Sequence, residues 1–213
     1  MMASTARWTD LDTEIEKIRS TFLPANFDPL GTYPDQLQVH AHTRAFLLLS
    51  HAEIEHFLEG WAKAIAKAAE DSWKNNGKYH KPTAFLAAAH SERVPVSEKI
   101  SGSSKGDFEA IFQKNLTAAF ADFYKIIKDN NGIKEHNFAK MFSPIGLVIG
   151  NLPINLLSQL DSLGEKRGAE AHNSGKSVPV LLDPETEYKS VKGLVADLGV
   201  LDSFLENYRQ GIV

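Results

Sequence analysis

The stretch Leu37–Lys74, "LQVHAHTRAFLLLSHAEIEHFLEGWAKAIAKAAEDSWK", decides the fold. It holds no proline and a single glycine, and its apolar positions Val39, Phe46, Leu49 with Ser50, Ile54, Phe57, Trp61 and Ile65 recur at steps of three and four. That is the period of one helix face, where a strand would alternate, so the spacing predicts a long central helix. Working outward, a shorter helix is predicted to open around Thr9 and Asp10 and to carry Leu11, Ile15, Ile18 and Phe22 on one face. The prolines of "LPANFDPLGTYPD" stop it. On the other side a helix starting near Asp107 carries Phe108, Ile111, Phe112, Leu116, Phe120, Phe123, Ile126 and Ile127, and Asn131-Gly132 offers a left-handed stop. After the apolar connection "SPIGLVIGNLPIN", a helix runs from Asn155 or Leu156 through Leu163 toward His172. The last one opens at Asp183-Pro184, a capping residue followed by proline in the first turn, and carries Tyr188, Val191, Leu194, Val195, Leu198, Leu201, Phe204, Leu205 and Tyr208.

Alternation is nowhere sustained, so the expected fold class is all-α, a bundle of four to five main helices around the long central one. At 213 residues a single domain over 1–213 is expected, with 1–36 as N-terminal helix and Pro-rich loop and 37–213 as bundle core. The segment 90–107, "HSERVPVSEKISGSSKGD", predicts a mobile surface loop with three basic residues. No repeat of solenoid length is present.

Composition removes several chemistries. The chain has no cysteine, which excludes disulfides, thiolate nucleophiles and Cys-ligated zinc or iron–sulfur centres. A net charge of −4 argues against a nucleic-acid coat over the whole surface, while leaving a local basic cleft open. No apolar run is long enough for a membrane span and the N-terminus lacks a signal-peptide pattern, so a cytoplasmic protein without membrane association is expected.

Three clusters could carry chemistry. In "LGEKRGAEAHNSGKS", Leu163–Ser177, the "GKS" resembles the end of a phosphate loop, but G-x-x-x-x-G-K-[ST] would need glycine where Glu170 stands, and a preceding strand. It reads instead as a helix stop, with Asn173 and Gly175 available for termination and Pro179 beyond. In "HAEIEH", His51 and His56 lie about 140° apart on a helix and cannot both ligate one ion. His51 and Glu55 do share a face, and a metal-dependent helical hydrolase built on that pair is one rival reading; i,i+4 pairs more often stabilise a wetted helix face. The third cluster is Arg167 with His172. A permanent planar cation suits a phosphate, and an imidazole can take or return a proton near neutral pH. Together they suffice for metal-free RNA cleavage, with a second proton-transfer group supplied by a two-fold copy of the site.

Arg167-x4-His172 near the end of a bundle helix, together with "LDSLGEKRGAEAHNS", "RAFLLLSHAEIEHFLEG" and "HNFAKMFSPIG", resembles the R-x(4–6)-H pattern of the HEPN superfamily, in its RiboL-PSP-HEPN branch. The resemblance covers about residues 35–210. It implies an up-and-down helical bundle that dimerises so that two Arg/His motifs line one cleft. It further implies a cofactor-free, metal-independent endoribonuclease of toxin or defence type, with RNA as substrate, an antitoxin or other operon partner, and 2′,3′-cyclic phosphate products. Some members of the superfamily are non-catalytic binding modules, which is the alternative reading. By carry-over Arg167 and His172 are the functional pair. Many HEPN nucleases place a polar residue directly after the arginine, and here it is Gly168. Glu170, Asn173, Arg44, His51 and Glu53 are the candidates to supply the missing contact, and Lys166, Lys176, Lys134 and Lys140 the candidates to steer phosphate.

Overall fold

The absence of helix breakers between Leu37 and Lys74 produces the longest element of the computed structural model, which describes residues 5–90, 104–148, 150, 152–172 and 181–212, and for 104–108 and 170–172 the backbone alone. The helices are α1 (Ala6–Phe22), α2 (Gln36–Asn76), α3 (Lys81–Ala89), α4 (Ser104–Lys128), α5 (Glu135–Phe142), α6 (Leu156–His172) and α7 (Pro184–Gln210). No strand occurs among the described residues, and the fold is all-α, with five long helices and two short ones. No helix among the described residues is long and apolar enough to cross a membrane.

Three boundaries differ from the sequence reading, each for a physical reason. The first helix opens at Ala6 and not around Thr9, because Thr5 caps it: its hydroxyl accepts from Trp8 N–H at 3.4 Å. The same Thr5 donates from its backbone N–H (3.0 Å) and hydroxyl (2.7 Å) to the carboxylate of fully buried Asp202 on α7. At 104–107, where a loop was expected, α4 has already begun; the remainder of that expected loop, 91–103, lies outside the described residues. The short α3 and α5 fall where connections were expected. Pro82 sits in the first turn of α3, where its missing N–H costs nothing, and α5 buries Phe138, Met141 and Phe142 at helical spacing.

The chain packs as two units. The first comprises residues Met1–Leu58, Asn131–Phe138 and Gly150–Glu206. Its core draws Leu11 and Ile15 from α1, Phe46, Leu47, Ile54, Phe57 and Leu58 from α2, Leu156, Leu160 and Leu163 from α6, and Val191, Leu194, Val195, Leu198, Leu201 and Leu205 from α7. Trp8 ties α1 to α7 by donating its indole N–H to Val195 O at 3.0 Å. The second unit comprises Glu59–Asn130, Ala139–Ile149 and Asn207–Val213. Its core centres on Trp73 stacked on Phe120, with ring centroids 5.8 Å apart, and includes Trp61, Ile65, Leu116, Phe123 and Ile127. The helical spacing of α2 thus persists as its buried face: Phe46, Ser50, Ile54, Phe57, Trp61 and Ile65 are all enclosed, while Leu49 is exposed.

Candidate functional site

On α2, positions 40, 44, 47, 51 and 55 fall within a sector about 80° wide. Four of these five are polar: His40, Arg44, His51 and Glu55. Such a stripe would ordinarily face water, yet His40 and His51 are buried and Arg44 and Glu55 half-buried. Burying polar groups costs free energy unless they find partners, and the first unit supplies them. His40 Nδ1 accepts the backbone N–H of Leu182 at 3.0 Å. At the other end Glu55 accepts the N–H of Gly132, and its second oxygen lies 3.8 Å from His51 Nδ1. Gly132 has a φ of +138°, a conformation that disfavours any side chain, and a Cβ there would press on Asn137 Oδ1 at 3.1 Å. The glycine that was read as a helix stop therefore also presents its N–H to Glu55.

Helix α6 runs beside this stripe. Lys134, two residues after Gly132, lies flat over α6 at Gly164, where a Cβ would meet its side chain at 2.7 Å, and its ammonium is 3.8 Å from Glu165. Gly132 is tied to Glu55 at one end and Leu182 to His40 at the other, so α6 descends antiparallel to α2 with Arg167 beside His51. His172 is the last residue of α6. Its backbone lies about 7.5 Å further along the axis than Arg167, at the level of the turn that holds Arg44.

Arg167 is partly exposed, and among the described residues no carboxylate pairs with its guanidinium. Its electrostatic neighbour is His51. Burial first, and the Arg167 charge second, push the His51 imidazole down to about 4 from its ordinary 6.5. His51 is therefore neutral at pH 7, and a neutral ring can turn a lone pair toward the guanidinium where an imidazolium would repel it.

The remaining candidates separate clearly. Arg44 shares the His51 stripe, whereas Glu53, about 200° around the helix from His51, lines a cleft of about 260 Å³ with Arg7, Asp10, Leu11, Glu14, His56 and Phe57. Lys166 is gripped by Glu187, with Nζ 2.7 and 3.0 Å from its two oxygens. Glu187 is buried in the first turn of α7, so this pair neutralises a charge that would otherwise be stranded. Lys134 retains partial exposure over α6, and Lys140 is exposed on α5 in the second unit. Glu170 belongs to α6, and Asn173 and Lys176 lie outside the described residues. Gly168 opens onto free space: a Cβ there would meet nothing within 4 Å.

Among the described residues no three His, Asp or Glu side chains are grouped to hold a metal ion. The His51–Glu55 pair also stands beside a guanidinium, whose charge disfavours a second cation there. Sequence reasoning missed Gly132 and Glu187. Their partners are 77 and 21 residues away, and local spacing carries no signal for either.

Comparison with known proteins gives one match. No curated protein and no solved structure matches the chain, while the model of the RiboL-PSP-HEPN family matches residues 9–206, taking in α2, α6 and most of α1 and α7. With that span covering nearly the whole chain, the protein belongs to the RiboL-PSP-HEPN family.

Proposed function

We propose that the protein is a metal-independent endoribonuclease of toxin or defence type, acting as a homodimer in which two Arg167/His172 motifs face one RNA strand. The observation that carries this reading is Arg167 itself, a partly exposed guanidinium with no carboxylate partner among the described residues, on the helix that ends at His172. An unpaired cation in a partly buried setting is costly unless an anion completes it, and a phosphodiester is the anion that family membership suggests.

In the proposed reaction His172 of one copy removes the proton of a ribose 2′-OH, and the oxygen attacks the adjacent phosphorus. Arg167 stabilises the charge that develops on the non-bridging oxygens. The bond to the 5′-oxygen breaks, and the second copy's His172 returns a proton to that leaving group. The products are a 2′,3′-cyclic phosphate and a 5′-hydroxyl. Arg44 and Lys134 hold flanking phosphates in this reading.

The test is incubation of the purified protein with total RNA in EDTA, followed by analysis of the termini. Cyclic phosphates are expected; free 3′-hydroxyls would contradict the mechanism. Gly168 favours a second reading, a non-catalytic HEPN binding module, because it removes the polar group that many catalytic members carry next to the arginine. The two readings diverge for Gly168→Asn. The free space around residue 168 accepts the side chain, and asparagine is a better helix former than glycine by a few tenths of a kcal/mol. The nuclease reading expects this variant to fold unchanged and to cleave RNA faster than the wild type, measured as initial rate at saturating substrate. A binding module would bind RNA or protein without cleavage in either form.

A further inference from the structure

Arg167 needs a compensating negative charge when no RNA is bound, yet a carboxylate paired directly with it would have to be displaced by every phosphate that enters. Glu55 and His51 resolve that conflict. Glu55 supplies the charge and is fixed by the N–H of Gly132, whose backbone conformation and contact with Asn137 leave it little freedom. His51 is enclosed almost completely, with Nδ1 3.8 Å from the Glu55 carboxylate, too far for a hydrogen bond and close enough for the carboxylate to orient the ring dipole. With Nδ1–H turned toward Glu55, Nε2 presents a lone pair. Burying a histidine and a carboxylate on a helix whose neighbouring positions are Leu47, Ile54 and Leu58 gives nothing to packing that an apolar pair would not give better.

We propose that Glu55 and His51 are positioning residues for Arg167, a relay anchored at Gly132 that holds the guanidinium ready for phosphate without occupying its phosphate-binding edge. This rests on the reading of Arg167 as the phosphate-binding group. Neither relay residue touches the reacting atoms.

The deciding measurement follows the Arg167 Nε–H group by ¹⁵N NMR, which needs no enzymatic activity. The signal is assigned by its loss in Arg167→Lys. In the wild type it is expected to be resolved from the other arginines and to exchange slowly with solvent. Glu55→Gln keeps an oxygen for the Gly132 N–H and removes only the charge; His51→Gln keeps polarity and removes the ring. In both, the Arg167 signal is expected to merge with those of solvated arginines while the amide spectrum stays folded. If the signal is unmoved in both folded variants, the relay is wrong.

Cleavage assays then separate this idea from the functional one. The relay expects kcat to fall about tenfold or more in Glu55→Gln with KM within about twofold, since a misaimed arginine still attracts RNA but stabilises the transition state less well. Arg167→Ala alone tests the nuclease reading. Collapse of the NMR signal without any wild-type cleavage would uphold the relay and overturn the nuclease, whereas cleavage dependent on Arg167 but indifferent to both relay variants would do the reverse.

Discussion

Arg167→Ala lowers RNA cleavage by at least about 10²-fold, the cost typical of removing one preorganised charge from a developing oxyanion. His172→Ala is expected to lose about 10² to 10⁴-fold, the range of general acid–base contributions. The double variant should be barely worse than the weaker single one, because the two act in one step and their effects do not add. Loss of fold would not mimic this pattern. Arg167 is partly exposed on a helix surface, and alanine is the better helix former. An independent signature accompanies it. Burial is the larger cause of His51's lowered pKa and Arg167 the second, so removing the guanidinium should raise the His51 value while leaving it below 6.5. An NMR titration of His51 reads this directly. Full cleavage by a folded Arg167→Ala protein would overturn the assignment, and an unmoved His51 titration would show that the two side chains do not sense each other.

How much of this was legible in the sequence depends on how local each cause is. The bounds of α2, α6 and α7 could be read almost to the residue, because proline, glycine and apolar spacing act over one or two turns. The start of α1 could not be read: what makes Thr5 the cap is partly Asp202, 197 residues away. Helix α5 is eight residues long, too short for its buried Phe138, Met141 and Phe142 to announce a period. The same distinction governs the site. Arg167 and His172 are marked by spacing on one helix. Glu53 could have been set aside by spacing too, since two residues turn a helix by about 200° and place it away from His51. Lys166 could not, because its engagement by Glu187 is a tertiary fact. His51 was noted for its neighbours at i+4 and i+5, but its chemical state follows from enclosure, which only the fold supplies.

That state predicts a loss of stability in mild acid. With a folded pKa of about 4 against 6.5 for a free imidazole, the folded protein resists a proton that the unfolded chain accepts. Between those two values the unfolded state binds more protons, so stability rises with pH across the window; it is complete above about 6.5 and falls as pH drops toward 4. At 1.36 kcal/mol per unit, this amounts to about 3 kcal/mol from His51, a large share of the stability of a typical domain. Urea unfolding between pH 7 and pH 4 measures it, and His51→Gln isolates it, since glutamine takes no proton and leaves the acidic groups of the chain in place. The wild type is expected to lose about 3 kcal/mol more than the variant over this range; parallel curves would mean that His51 is not held neutral. The direction also bears on activity. A protonated His51 would turn a donor and a positive charge toward Arg167, so acidification should misplace the guanidinium before it unfolds the protein, and cleavage should decline at a higher pH than folding does.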